Sequence, residues 1–518
     1  MKRVFGIETE YGITLSGVEM VDLAAESVAL VRCYTEPGAW TKGDDDLRDL
    51  PPGARWVRAE SLLQGSQESA YYEPNRHRPL SFEETRGDLV LSNGARFYTD
   101  HAHPEYATPE CTTLRELIAQ DKAGERILAE CARRRNKQLA PGREVRLYKN
   151  NTDFMGHSYG CHDNYLMSRA VPWDRLVPEV VPFLITRQLY AGAGKLGIEG
   201  EGASGPRGLF QLSQRADFFC VLLSVDTMNR RPLVSTRDEP HADPGKYRRF
   251  HVIVGDSNMS EFASALKVGT TALVLELIEK REAPHLEVAQ PIEAAKALSR
   301  DQSHAWPIEL KDGRKISAID IQRLYLEKAG RYCDRTDGEV DWLLSEWEKV
   351  LNDLELDPMR CVDRLDWVAK WYLLSAFQEA EKLAWTDPWL QAIDLEYHNL
   401  AWDQGLHHEL ARAERVRRVV SEQEVKAAIF NPPESTRAFF RGRAVARFSP
   451  YIEAIHWDEV VFGQEGGPPY RVAFNAASED ARLARLNAAI REAINYEDLI
   501  RRLQQVDSRG LPQKADWW

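Results

Sequence analysis

The segment Asn93–Cys111 reads NGARFYTDHAHPEYATPEC. Arg96, Tyr98 and Asp100 fall on every second residue. Side chains of an extended chain point alternately to its two faces, so these three share one face of a strand. His101, His103, Glu105 and Glu110 follow within a few residues. Buried charges cost several kcal/mol unless they are paired or bound to metal. Two readings therefore stand: a carboxylate-lined site that grips a cation and acts on a substrate, or a solvated edge strand with a polar turn.

Working outward, the same alternation recurs. Val4–Ile13 reads as a first strand with Glu8 and Glu10 on one face and Ile7, Thr9 and Tyr11 on the other. Two carboxylates on one strand face repel unless a cation lies between them. Asp88–Thr99 reads as one strand leading into the central segment. In SYGCHDNYL, His162, Asn164 and Leu166 alternate, and in YRRFHVIV, His251 sits among Val and Ile. Histidine is the commonest metal-binding side chain, although a lone strand histidine is more often structural. FQLSQR ends in Arg215 and LVSTR ends in Arg237. A strand-terminal arginine is a natural clamp for phosphate or carboxylate, or else a surface ion-pair partner. Thr112–Arg135 and Phe262–Lys280 carry helical spacing. Residues 34–87 are polar, weakly periodic and broken by five prolines, which predicts a long insertion loop. From about Ala283 the pattern is mainly helical, and Asn431-Pro432-Pro433 marks a boundary. After it, IHWDEVVFG at Ile455–Gly463 predicts a short strand and Glu479–Gln505 a charged helix.

The totals limit the classes of function. A chain of 518 residues exceeds one compact core. A net charge of −13 opposes general nucleic-acid binding, while leaving room for a local basic groove. Seven scattered cysteines without a CxxC pair predict free thiols in a reducing, cytoplasmic setting. No apolar run is long enough to span a bilayer, so no membrane role is expected.

Glu8, Glu10, Tyr98, Asp100, Glu105, His162 and His251 thus come from several strands of one expected sheet. Oxygen-rich ligands with one or two histidines suit magnesium or manganese better than zinc. Magnesium at a carboxylate site usually accompanies a nucleotide phosphate. AGAGKLG lacks the spacing of a phosphate-binding loop and reads as a turn.

GIETEYG, NGARFYTDHAHPEYATPEC, LYKNNTD, SYGCHDNYL, STRDEPHAD, YRRFHVIVGDSNMSE and NPPESTRAFFRG resemble, in order, the motifs of the Pup ligase and depupylase family, which belongs to the glutamine synthetase-like carboxylate–amine ligases. The resemblance implies an α+β fold: a curved antiparallel β-sheet cradle with helices on its outer face. Residues 1–430 would form the catalytic domain and 431–518 a small C-terminal domain. It also implies ATP (or ADP plus phosphate) and Mg2+ at the site. By position in the motifs, Glu8, Tyr98 and Glu105 resemble metal-site residues, joined by Glu10, His162 and His251. Arg96, Thr108, Asn164 and Trp457 resemble nucleotide contacts, Asp100 the catalytic aspartate, and Arg215 and Arg237 are assigned to acidic residues of Pup. Asp163 stands where the family usually has glutamate, a departure that shortens one carboxylate. The implied partners are Pup and pupylated proteins of the bacterial proteasome pathway. The long insertion and the DHAHPEY wording favour the depupylase, which cleaves the isopeptide bond and deamidates a C-terminal glutamine of Pup. GIETE and HVIVGDSNMSE read closer to the ligase, the first alternative. A non-catalytic Pup-binding regulator is the second.

Overall fold

The period-two pattern of the first strand sets the sheet. In β1 (Phe5–Glu10), Phe5, Ile7 and Thr9 are buried while Glu8 and Glu10 face the other way. The computed structural model describes residues 3–18, 21–35, 57–58, 88–199, 208–225, 231–464, 466–478 and 481–506. Apart from residues 34–35 and 57–58, the expected insertion lies outside these. Eight more strands join β1: β2 (Val57–Arg58), β3 (Asp88–Val90), β4 (Arg96–Asp100), β5 (His103–Ala107), β6 (Cys161–Ser168), β7 (Val221–Ser224), β8 (Pro232–Ser235) and β9 (Tyr247–Val252). Their order is β7-β8-β9-β6-β1-β5-β4-β3-β2. Neighbours run antiparallel except β7 and β8, which are parallel.

Helices cover the sheet face opposite the carboxylates. These are α1 (Leu23–Thr35), α2 (Leu114–Gln138) and α3 (Glu261–Lys280). α2 opens on a capping box, in which the Thr113 side chain accepts from the Glu116 amide and the Glu116 side chain reaches back to Thr113. Such a cap contributes about 1 kcal/mol. Leu114 and Leu117 of α2 share a core with Phe5, Ile7, Tyr165 and Phe250, and Ile118 and Ile127 share one with Phe97 and Tyr106. The architecture is α+β, as expected. All seven cysteines are free thiols, six of them buried.

Several boundaries differ from the sequence reading. Val4–Ile13 is two strands, not one. After Glu10 the chain leaves the main sheet, and Gly12–Ser16 pairs with Glu144–Tyr148 instead. Asp88–Thr99 is a hairpin, β3 and β4, turned at residues 91–95. There the buried Asn93 side-chain oxygen accepts from the Ala95 amide at 3.1 Å. Ile455–Gly463 is likewise a hairpin. It joins β10 (Ile452–Ile455) to β11 (Glu459–Phe462), with Trp457 in the connecting turn.

The C-terminal part has a hydrophobic cluster of its own. α4 (Arg437–Phe448), β10, β11, β12 (Tyr470–Ala473), α5 (Ala481–Glu492) and α6 (Tyr496–Val506) enclose Phe440, Phe462, Leu486 and Leu499. α5 and α6 replace the single expected helix. α4 docks onto the β3–β4 turn with backbone touching backbone. A Cβ on Gly442 would lie 2.4 Å from the Ser92 carbonyl oxygen, and one on Gly94 (φ +80) would lie 2.8 Å from the Ala438 carbonyl oxygen. A Gly442→Ala substitution is therefore expected to destabilise by about 1–3 kcal/mol through overpacking, read as a lowered Tm.

Glu110 holds the same junction electrostatically. Arg437 Nε donates to Glu110 Oε1 at 2.7 Å and Arg441 Nη2 to Oε2 at 2.6 Å. Burial opposes ionisation, but the two guanidiniums outweigh it and hold the carboxyl at about 2. A depressed folded value means the stabilisation is complete above the usual 4.5 and is lost as pH falls toward about 2. Glu110→Gln is expected to destabilise the protein by about 3–5 kcal/mol at neutral pH, because it leaves buried arginines unpaired. The deficit should shrink in acid, which thermal melts across pH 2–7 would show.

Candidate active site

The sheet register brings the expected residues onto one face. Glu8 lies opposite His162 on β6 and Ala107 on β5, and Glu10 lies opposite Glu105. Tyr98 is opposite Glu105, Asp100 opposite His103, and Asn164 opposite His251. Two groups result, Glu8–His162–His251 and Glu10–Asp100–Glu105. Within each, one ligand atom per residue lies within 4.8 Å of the others, a spacing that fits metal ligation.

The electrostatics of the two groups differ. Burial pushes the Glu105 carboxyl well above the usual range, and the charges of Asp100, Glu8 and Glu10 push it further. Glu105 is 3 % exposed and accepts a short hydrogen bond from the Tyr98 hydroxyl. Burial, reinforced by the Glu105 charge, also pushes the Tyr98 phenol well up. Tyr98 therefore reaches the Glu10–Asp100–Glu105 group through Glu105. Burial opposes ionisation of Glu10 as well, but its contact with His103 prevails and holds it at about 2. At Glu8, burial is outweighed by the contact with His162, 3.6 Å away, and by the charge of Arg249, 3.4 Å away. Burial and Arg249 push His251 well below its usual value, so it is neutral at pH 7, the form that binds metal. His251 Nδ1 lies 2.6 Å from Asn164 Oδ1. A ring N–H donated to that amide oxygen leaves Nε2 for a cation, as in metal-binding histidines generally.

An open cleft lies beside the Glu8 group. Its lining includes Glu8, Thr108, Asn164, His241, Arg249 and Trp457. Thr108 Oγ1 accepts from the Ile7 amide at 3.1 Å. Arg96 forms a two-pronged pair with Asp88, and its guanidinium lies 5.3 Å from the Tyr98 ring centroid. Arg96 lies in an adjoining groove that also borders Trp457.

The two strand-terminal arginines part company. Arg237 is exposed. Arg215 is 1 % exposed, and its Nη1 donates to the Ile253 carbonyl at 2.6 Å. Burial, aided by the charge of Arg231, lowers its guanidinium to about 10. Arg215 is thus enclosed by the fold, whereas Arg237 is open to solvent. Asp163 lies on the core side of β6, where Arg187 Nη1 and Nη2 donate to its carboxylate at 2.7 and 2.9 Å. Its carboxylate therefore stands behind the site.

Two site residues went unassigned in the sequence. His103 lies 3.5 Å from Glu10 and stacks on Tyr159 at 4.3 Å between centroids. Arg249 bridges Glu8 and Glu239. Both were signalled by alternation, since His103 is two residues from Glu105 and Arg249 two from His251.

The family model described as Pup-ligase protein matches residues 3–461. A depupylase of Acidothermus cellulolyticus is 44% identical over 478 residues, covering 90% of this chain and 92% of that protein. The solved complex of Pup with its ligase PafA superposes with a TM-score of 0.75 at 29% identity, covering 99% of this chain and 96% of the other. The structure of the Pup ligase PafA with ADP gives 0.70 at 32%, covering 87% and 97%. The matched span contains every strand of the carboxylate-bearing sheet, and this chain belongs to the Pup-ligase family.

Proposed function

We propose that this protein hydrolyses the isopeptide bond between the C-terminal glutamate side chain of Pup and a substrate lysine, and deamidates a C-terminal glutamine of Pup, with nucleotide and magnesium at the site. The observation that carries the reading is the convergence of Glu8–His162–His251 and Glu10–Asp100–Glu105 on one sheet face beside an open cleft. The depupylase relative at 44% identity supports hydrolysis, and the ADP complex of the related ligase supports a nucleotide in the cleft.

The donor set fits magnesium: carboxylate oxygens dominate, and Glu105 bears a repulsion that a divalent cation relieves. Glu8, His162 and His251 would hold one ion, and Glu10 and Glu105 another. Bound there, magnesium neutralises phosphate and carbonyl oxygen charge. Thr108, Arg96 and Trp457 would hold the nucleotide, with Asn164 orienting His251. Asp100 acts at the isopeptide carbonyl, as nucleophile or by orienting water. Its side chain is 38% exposed, open to an incoming bond in a way that the buried Glu105 is not. Exposed Arg237, near His251, is placed to meet acidic residues of Pup.

The ligase reading is kept alive by the two solved ligase structures. One experiment separates the alternatives. The protein is mixed with a pupylated substrate, nucleotide and magnesium, and in parallel with free Pup, a target protein and ATP. Release of free Pup in the first mixture supports the proposal. Conjugate formed only in the second assigns a ligase, and nucleotide binding without turnover in either assigns a regulator.

A further inference from the structure

We infer that Arg441 is a positioning residue that sets the three nucleotide contacts Arg96, Thr108 and Trp457 relative to one another from behind the cleft. The inference rests on the nucleotide reading above. Arg441 lies on α4, and its side chain is 1% exposed. Its guanidinium spreads its donors over three separate segments. Nε and Nη2 donate to the Gly94 carbonyl at 3.2 and 2.7 Å. Nη1 and Nη2 donate to the two Glu110 carboxylate oxygens at 3.2 and 2.6 Å. Nη1 also donates to the Trp457 carbonyl at 2.9 Å, and the guanidinium carbon lies 4.6 Å from the Trp457 ring centroid.

Each segment carries one nucleotide contact. Gly94 is two residues before Arg96, Glu110 is two residues after Thr108, and Trp457 is itself the third. The contacts come from one strand of the sheet, from the residue that follows another, and from a turn of the C-terminal cluster. The planar fork makes five hydrogen bonds at once, more than the three donors of an ammonium group can supply. Glu110 completes the device by giving the buried guanidinium its counter-charge.

The test measures ADP affinity directly, by calorimetry on folded protein, with no Pup substrate present. Arg441→Lys keeps the charge and removes the fork. It is expected to weaken ADP by about 10–100-fold, by analogy with the loss of a group that orients a metal ligand. A purely structural role would lower Tm and leave the affinity of the folded protein unchanged. A double-mutant cycle with Trp457→Ala adds a second readout. Coupled, non-additive losses support the inference, and additive ones overturn it. If Arg441→Lys does not fold, Glu110→Gln is measured in the same way against the same outcomes. ADP affinity equal to wild type in these variants overturns the inference and leaves the functional reading intact. A wild-type protein that binds no ADP overturns the nucleotide reading, and this inference with it.

Discussion

Replacing Asp100 with asparagine is expected to slow isopeptide cleavage by about 10²–10⁴-fold, the span associated with one positioned acid–base or nucleophilic group. The change removes the charge and keeps the shape. Asp100 ends β4 at the hairpin to β5, where His101 takes a left-handed conformation (φ 52) and its Nδ1 lies 3.0 Å from the Asp100 carboxylate. A non-glycine residue held there costs roughly 1–3 kcal/mol, a cost tolerated mostly at functional sites. Of the three carboxylates in its group, Asp100 is the one a macromolecular substrate can reach. Glu105 is buried, and Glu10 is 12% exposed beside His103. The lesion should appear in turnover, with ADP still bound, because Asp100 lies at the far end of the face from Thr108 and Asn164. Cleavage by Asp100→Asn at close to the wild-type rate would remove Asp100 from the chemistry.

The site was legible in the sequence to the extent that strand periodicity reaches. Alternation alone put Glu8 with Glu10, Arg96 with Tyr98 and Asp100, and His162 with Asn164 on common faces, and the register then joined these strands. Alternation does not report what lies above a strand end. Arg215 and Arg237 looked equivalent as strand-terminal arginines, yet backbone carbonyls enclose one while the other is exposed. Nor does a motif tell which side of the sheet a substitution faces. Asp163 stands beside His162 in the chain but on the opposite face, where Arg187 pairs with it. The segment IHWDEVVFG predicts a strand through Trp457. Trp457 lies in a turn instead, because Ile452–Ile455 and Glu459–Phe462 pair with each other and the residues between must reverse the chain. Arg441 ties that turn, 16 residues away, to Gly94, 347 residues away, which no local pattern encodes.

Replacing Glu105 with glutamine is expected to raise the stability of the metal-free protein while stopping its chemistry. Two like charges 4.8 Å apart repel by about 3–4 kcal/mol at an effective dielectric of 20. Glu105 has two such charges, Glu10 and Asp100, within 4.8 Å while buried, and the charge of Glu8 adds to them. Its folded value is raised, so the penalty is absent at low pH. It grows as pH rises through the unfolded value of 4.5 and levels off above the folded one. Glutamine carries no charge, and its side-chain oxygen can still accept from the Tyr98 hydroxyl. In EDTA at pH 7 the variant should therefore be more stable by about 0.5–2 kcal/mol, the size of an ordinary stabilising substitution. The gain should disappear toward pH 4.5. Magnesium should reverse the order. It binds only the folded site, so it lifts the wild-type Tm according to its affinity, whereas the variant has lost a ligand and about 10–100-fold in metal affinity. Four melts, wild type and variant with and without magnesium, read the crossing directly. A variant less stable than wild type in EDTA, or one that gains as much from magnesium, means that no cation is held between these carboxylates, because the repulsion that demands one would be missing.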